Sequence, residues 1–310
     1  MPGLNHQEPP PGQPQVYHRQ LVAGLWAVRD RELEVRVHRL DAWSEQAVSV
    51  VVGIRDFRIR RAALAVYRDA SGKAFGTEEV PELCGITAYL GAAKEFRRAL
   101  AGREQLDTWV DLLLESVKAL LQGEHCVAVK RGYASLEAYE RYFRETFSGT
   151  CVYYALPPEQ VRSWPVYLAG QCRDRCFFIR SRTTSLWLAE EHLVTSTLVD
   201  SYQQLILRLE LEPGGMVLRA KAHTTRAPDP ACGLAAVQVS RLAGLDLLAL
   251  DRHQIGELLA GPRGCIHLAD LAVEAATLLR SVREMHMQAG ADTDAARPEA
   301  GIAARRADRP

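Results

Sequence analysis

Near its C-terminus the chain places a thiol and an imidazole one residue apart, in the stretch GCIHL at 264–268. A helical pattern of apolar residues begins directly after this stretch, so both side chains should lie at the N-terminus of a helix. The unpaired N–H groups and partial positive charge of a helix N-terminus lower the pKa of a thiol. We therefore predict Cys265 as a catalytic nucleophile, with His267 as its base.

The same side chains could instead bind a metal ion, because thiolate and imidazole groups are ligands of zinc and iron. Cys232, in the loop PDPACG, would then be the third ligand, and a fourth position would stay open. A third interpretation has Cys265 as a small buried apolar residue and His267 as a core or capping histidine. Only two of the three donors are close in sequence, so the pattern alone leaves all three interpretations open.

The chain also matches itself when it is displaced by 159 positions without a gap. Apolar positions agree in this register, which predicts a tandem duplication with an N-terminal repeat at 17–122 and a C-terminal repeat at 178–287. Identical residues coincide along the register: Asp41 with Asp200, Arg60 with Arg219, Gly85 with Gly244, Asp111 with Asp270 and Glu115 with Glu274.

The register separates architectural residues from candidates for chemistry. The N-terminal repeat has Lys73, Leu106 and Thr108 where the C-terminal repeat has Cys232, Cys265 and His267, as the sequence shows. We therefore expect the N-terminal repeat to be degenerate and the C-terminal repeat to hold the site. The acids present in both repeats are interpreted as structural: Asp270 as a first-turn carboxylate favoured by the helix dipole, Asp41 and Asp200 as turn residues.

Each repeat begins with strands and ends with helices. Apolar and polar residues alternate at 33–38, the pattern of a half-buried strand, and the segments 47–54 and 57–67 follow. The C-terminal repeat has the same order of strands followed by helices, with a Gly-rich hairpin turn in EPGG and an apolar helix face after His267. The pattern predicts an α+β fold of two similar domains, each an antiparallel meander packed against helices. With one sheet each, the domains should contact one another through helices or the segment between them.

The segment between the repeats, 123–177, holds six of the ten tyrosines. This aromatic-rich insert could pack the two domains together, or form one wall of a pocket for a flat or apolar ligand. The Pro- and Gln-rich leader 1–16 and the polar tail 288–310 are predicted to be disordered.

Composition restricts the partners. Lys plus Arg and Asp plus Glu are both 38, which argues against nucleic acid or an anionic membrane surface. No apolar run approaches the about 20 residues that span a bilayer. Seven cysteines without a disulfide spacing, and no export signal, favour reduced thiols in the cytoplasm.

The meander, the GCIHL stretch and the closing helix together resemble a bacterial family, domain of unknown function family 2889. The family's last helix opens with Gly-Cys-Thr-His-Leu, for which this chain has Ile266 in place of Thr, and Cys232 matches the family's cysteine after the strands. The resemblance covers about a hundred residues of the C-terminal repeat and, in degraded form, the N-terminal repeat. It implies no established activity. A fainter similarity, of fold alone, connects the chain to the IscU and SufE group of iron–sulfur and sulfur-transfer proteins.

Three functions are compatible with these features. The leading hypothesis is an enzyme or enzyme partner that handles a small organic substrate with Cys265 and His267, directly or through zinc or iron. Its pocket would lie between the C-terminal repeat and the insert. The first alternative is a non-enzymatic metal or iron–sulfur carrier. The second is a structural subunit of a larger complex. A protein partner or a homo-oligomer is compatible with each.

Overall fold

A computed structural model describes residues 15–69, 71, 72, 74, 76–169 and 175–295. Most of the predicted leader and residues 296–310 of the predicted tail lie outside these ranges. The first strand begins at Gln15, within the last two residues of the predicted leader, and the last helix continues to Ala295. No helix among the described residues is long and apolar enough to cross a bilayer.

Within the described residues, nine antiparallel strands form one continuous sheet in the order β5-β4-β3-β2-β1-β6-β7-β8-β9. Helices cover one face of this sheet, so the fold is α+β as predicted. The strands are β1 (Gln15–Arg29), β2 (Glu32–Asp41), β3 (Glu45–Gly53), β4 (Ile59–Arg68), β5 (Gly76–Glu79), β6 (Cys176–Leu188), β7 (His192–Asp200), β8 (Gln204–Leu211) and β9 (Val217–Arg226).

The two meanders join through the central pair β1 and β6. These strands pair antiparallel from Gln15 opposite Leu188 to Trp26 opposite Cys176. The expectation that the halves meet through helices or the insert is therefore corrected, because they share one sheet. The physical reason is that each meander alone would leave an unpaired edge of N–H and C=O groups, and pairing the two edges satisfies both.

Helices α2 and α8 pack on the covered face, one in each half, and their apolar side chains form much of the two main cores. Elements of the second half follow those of the first at nearly constant spacing: β2 begins at Glu32 and β7 at His192, and α1 begins at Ala93 and α7 at Arg252. The helices are α1 (Ala93–Ala99), α2 (Leu106–Gly123), α3 (Ala128–Arg131), α4 (Leu136–Thr146), α5 (Val152–Ala155), α6 (Trp164–Leu168), α7 (Arg252–Leu259) and α8 (Ile266–Ala295).

The insert is helical and packs around aromatic side chains. Tyr139 and Phe143 of α4 are buried in a small core of their own. The fully buried Glu124 attaches the insert to the first half, because it accepts a hydrogen bond of 2.9 Å from the hydroxyl of Tyr89 and pairs with Arg131 at 2.8 Å. The insert is therefore a packing element, and it also contributes to the cavity described below.

Asp41 and Asp200 hold equivalent turns. Asp200 accepts hydrogen bonds from the backbone N–H groups of Tyr202 at 2.8 Å and Gln203 at 2.7 Å, and Asp41 accepts from the second and third residues after it in the same way. Each also pairs with an arginine on the neighbouring strand, Asp200 with Arg180 at 2.8 Å. The predicted turn role of both acids is confirmed.

A buried ionic cluster connects α2, α8 and β6. Arg182 of β6 pairs with Glu115 of α2 at 2.8 Å, and Lys118 of α2 pairs with Asp270 of α8 at 2.6 Å. Burial alone would raise the pKa of Asp270, but Lys118 and Arg182 outweigh it and hold that pKa well below its ordinary value. The interpretation of Asp270 as a first-turn carboxylate is corrected: it forms a cross-helix ion pair, because α2 brings Lys118 against the start of α8.

Candidate functional site

The GCIHL stretch is fixed by backbone contacts on two sides. A Cβ atom on Gly264 would lie 2.1 Å from the carbonyl oxygen of Leu259, so only glycine fits between α7 and α8. The N–H of Cys265 donates to that same oxygen at 2.7 Å, and the carbonyl of Gly264 accepts from Val152 of the insert at 3.0 Å. The start of α8 is therefore held against both α7 and the insert.

The structure brings Cys265 and His267 together. Cys265 Sγ lies 3.8 Å from His267 Nδ1, and the other ring nitrogen, Nε2, lies 3.5 Å from the side-chain amide of Gln203. Gln203 follows the Asp200 turn, and the sequence analysis missed it because its counterpart at the 159 displacement is the unrelated residue Ser44. The three side chains form the arrangement of a thiol, a base and a group that orients the base.

A cavity of about 50 Å³ lies over these side chains, between the C-terminal half and the insert. The first half contributes Gln122, and two further thiols face the cavity: Cys232, as predicted, and Cys151, which the sequence analysis did not select. The remaining lining is largely aromatic and comes from the insert: Tyr153, Tyr154 and Trp164.

All three thiols of the cavity are protonated at neutral pH. Burial raises the pKa of Cys265 to about 11, although the N–H groups of Leu268 and His267 at the helix start act to lower it. Burial and the nearby Cys265 raise the pKa of Cys232 to about 12, and burial also raises that of Cys151. The expectation of a lowered Cys265 pKa is therefore corrected, since desolvation outweighs the helix N-terminus.

The imidazole is neutral for a related reason. Burial and, after it, the positive charge of Arg180 lower the pKa of His267 to about 4. A neutral imidazole keeps one nitrogen free to accept a proton or to bind a ligand.

Replacing His267 by Gln should reduce the acid sensitivity of the protein. Because the pKa is about 4 in the folded chain and near its ordinary value of 6.5 when unfolded, the unfolded chain binds the extra proton between these values. The wild-type free energy of unfolding should thus fall by about 3 kcal/mol as pH drops through this window. Urea unfolding across the window measures the difference between wild type and H267Q.

The matched control is His253→Gln, because His253 is an exposed histidine of α7 with 80% of its side chain accessible. H253Q should show the same dependence of the free energy of unfolding on pH as the wild-type protein. If H267Q shows the wild-type slope as well, His267 does not titrate as its burial requires.

The metal interpretation does not fit the side chains as they stand. Among the residues that the structure describes, no group of three or more His, Cys, Asp or Glu side chains is arranged to hold a metal ion. Cys232, Cys265 and His267 face one cavity but form no such group. No chemical step is therefore derived through a metal.

Comparison with known proteins gave one match. No curated protein and no solved structure matched the chain. Residues 181–280 match a family model described as "Protein of unknown function (DUF2889)". This range contains strands β7–β9, Cys232 and the start of α8. The resemblance inferred from the GCIHL stretch is thus confirmed for this part of the chain, which is similar to the DUF2889 family.

Proposed function

We propose that the protein acts on a small organic molecule at this cavity, with Cys265 as nucleophile and His267 as the base that accepts its proton. The observation that supports the proposal is the 3.8 Å approach of Cys265 Sγ to His267 Nδ1 inside a cavity lined by both. Gln203, at the other ring nitrogen, is placed to orient the imidazole. Nucleophile, base and orienting group are the parts that thiol catalysis requires.

The resting site is uncharged, which restricts how the thiol reacts. With the pKa of Cys265 at about 11 and that of His267 at about 4, the thiolate–imidazolium pair does not form before substrate binds. Proton transfer from the thiol to Nδ1 then accompanies bond formation between the sulfur and an electrophilic carbon, and that carbon gives up the electron pair of one of its own bonds, either a carbonyl π bond or the bond to a leaving group. Nδ1 is free to accept the thiol proton only in the tautomer that carries its proton on Nε2. The amide nitrogen of Gln203 is the atom that faces Nε2 at 3.5 Å, so this tautomer requires the Gln203 amide to turn by 180°, which lets its carbonyl oxygen accept the Nε2 proton.

The size of the cavity limits the reacting group. A cavity of about 50 Å³ has room for only a few water molecules, each of which needs about 10–15 Å³ of such space. The reacting part of the substrate is therefore only a few atoms across, either a small molecule or the end of a longer one.

Alkylation of Cys265 tests the proposal. Iodoacetamide labelling at neutral pH, followed site by site with mass spectrometry, should be at least about ten-fold slower at Cys265 in H267Q than in wild type. Cys84, an exposed cysteine, is the internal control and should react equally in both proteins. Equal Cys265 rates in two well-folded proteins would rule out His267 as the base.

A second candidate function is a metal or iron–sulfur carrier. Three thiols and one imidazole face a single cavity, and soft metals prefer these ligand types. Binding would require the side chains to move, because as they stand they are not arranged to hold an ion. Elemental analysis of protein purified without oxygen separates the candidates. One tightly bound zinc or iron that is lost in Cys232→Ala supports the carrier. Metal-free protein with a reactive Cys265 supports thiol chemistry, and metal-free protein with an unreactive Cys265 leaves a structural subunit.

We also infer a tandem duplication in which only the C-terminal half kept the site. The near-constant spacing of elements and the equivalent turns at Asp41 and Asp200 support this origin. Leu106 and Thr108 then stand where the working half has Cys265 and His267. The seven cysteines of the sequence have no disulfide-framework spacing, so a reducing compartment such as the bacterial cytoplasm is the proposed location.

A further inference from the structure

A wider groove, of about 350 Å³, opens next to the cavity at the end of β9. One turn of the chain, residues 228–233, separates the two spaces. Pro228 and Cys232 face the cavity, whereas Asp229, Pro230 and Gly233 face the groove. A molecule that lies in the groove is therefore one turn away from the Cys265 thiol.

The groove carries positive charge that the protein itself does not neutralise. Arg162 and Arg226 line it, and the one acid among its lining residues is Asp229. The Asp229 carboxylate is already used, because it accepts hydrogen bonds from the backbone N–H groups of Arg162 at 2.7 Å and Ala231 at 2.8 Å. Arg226 is committed to backbone carbonyls, among them that of Ser201 at 3.0 Å.

Arg162 is the cation that remains available. Its side chain is exposed, and its guanidinium lies over the ring of Tyr167, 6.0 Å from the ring centre. Within the described part of the chain this guanidinium forms no hydrogen bond or ion pair, so its N–H groups can donate to a ligand. Its backbone is nevertheless fixed, by the Asp229 contact and by a 2.6 Å hydrogen bond from the Tyr153 hydroxyl to its carbonyl. The side chain of Thr224 also lines the groove, and its buried hydroxyl oxygen has no hydrogen-bond partner among the residues that the structure describes. A fixed cation beside an unpaired hydroxyl suits an anionic oxygen group.

We propose that this groove binds a terminal carboxylate or phosphate of the molecule whose other end reacts in the cavity. Arg162 donates charge-assisted hydrogen bonds to the anion, and rotation of the Thr224 side chain toward the groove lets its hydroxyl donate one more. The role of the cavity rests on the proposed function, but the anion site itself does not. The substrate class is a small organic acid or phosphate ester with an electrophilic centre at the far end.

Binding of simple anions tests the site without reference to Cys265. Inorganic phosphate and succinate are titrated by NMR line broadening against wild type, Arg162→Gln and Lys221→Gln. Lys221 is an exposed cation of β9, the strand that carries Thr224, and it does not line the groove. Loss of a charge-assisted contact should weaken binding in R162Q about ten-fold, with K221Q unchanged. If only one of the two anions binds, that result identifies the kind of anion that the site accepts. Equal affinity in R162Q and wild type, or no binding of either anion, overturns the proposal.

A second experiment connects the groove to the thiol. Iodoacetamide derivatives that end in a carboxylate are compared with matched derivatives that end in an amide, over several linker lengths. At one linker length Cys265 of wild type should prefer the carboxylate about ten-fold, and R162Q should lose that preference while its rate with the amide stays the same. A His267-dependent Cys265 rate with no carboxylate preference would refute the groove and retain the proposed function. If no probe reacts at Cys265 but phosphate still binds in a manner that depends on Arg162, the proposed function is refuted and the anion site is retained.

Discussion

Replacement of Arg182 by Met is expected to lower the free energy of unfolding by about 3–5 kcal/mol. Arg182 is 6% exposed, and its guanidinium lies 2.8 Å from Glu115, 3.5 Å from Glu274 and 3.9 Å from Asp270. Removing the cation leaves Glu115, itself almost fully buried, without its closest partner in a region of low dielectric. Urea denaturation at neutral pH, followed by circular dichroism, measures the change.

Two further variants make this result interpretable. Arg208→Met removes an exposed arginine of β8 and should change stability by less than about 1 kcal/mol. The double variant R182M/E115L replaces both charges by apolar groups. It should recover part of the loss, because it removes a buried carboxylate that in R182M faces only the more distant Arg180 at 3.5 Å and Lys118 at 3.7 Å. If R182M is no less stable than R208M, the cluster does not hold the two halves together as its geometry indicates.

Replacement of Gly264 by Ala should have the other large effect, a destabilisation of about 3 kcal/mol. The new methyl group would stand 2.1 Å from the carbonyl oxygen of Leu259 and 2.5 Å from that of Ala260. Both atoms belong to the backbone, so relief requires α8 to move away from α7. Cys265 and His267 move with it, and the alkylation rate of Cys265 should change together with the midpoint of urea unfolding.

Gly256→Ala is the matched control. Gly256 lies inside α7, where an added Cβ meets no atom within 4 Å. Alanine is the better helix former there, so this variant should be unchanged or more stable by up to about 1 kcal/mol. A G264A protein that is as stable as G256A would show that the loop before α8 adjusts freely, and the glycine of the GCIHL stretch would then need another explanation.

The strands that the sequence predicted and those it missed differ in one physical respect. In β2, Leu33, Val35 and Val37 alternate with polar residues and fill the covered face, which is the pattern that sequence reasoning detects. In the central strands β1 and β6 the covered face includes the buried arginines Arg19 and Arg182. Their compensating acids come from other elements, so no local pattern marks these strands as buried.

The residues of the site also divide into those that the sequence predicted and those that it did not. Cys265, His267 and Cys232 were found from residue type and position, and all three face one cavity. Gln203 and Cys151 join them from a turn and from the insert, at distances in sequence that no motif spans. The sign of the Cys265 pKa shift was also beyond sequence reasoning, because the helix start is visible in the pattern but the depth of burial is not.

The shared sheet has a consequence for synthesis on the ribosome. Strand β1 emerges long before the strand it pairs with, because Trp26 must wait for Cys176, its partner on β6. At usual elongation rates that interval is roughly 10–30 s. Throughout it the nascent first half can fold its own meander while one side of β1 remains an open edge, able to pair with the same edge of a neighbouring nascent chain. Closure between β1 and β6 is thus the step at which correct pairing within one chain competes with strand exchange between two chains.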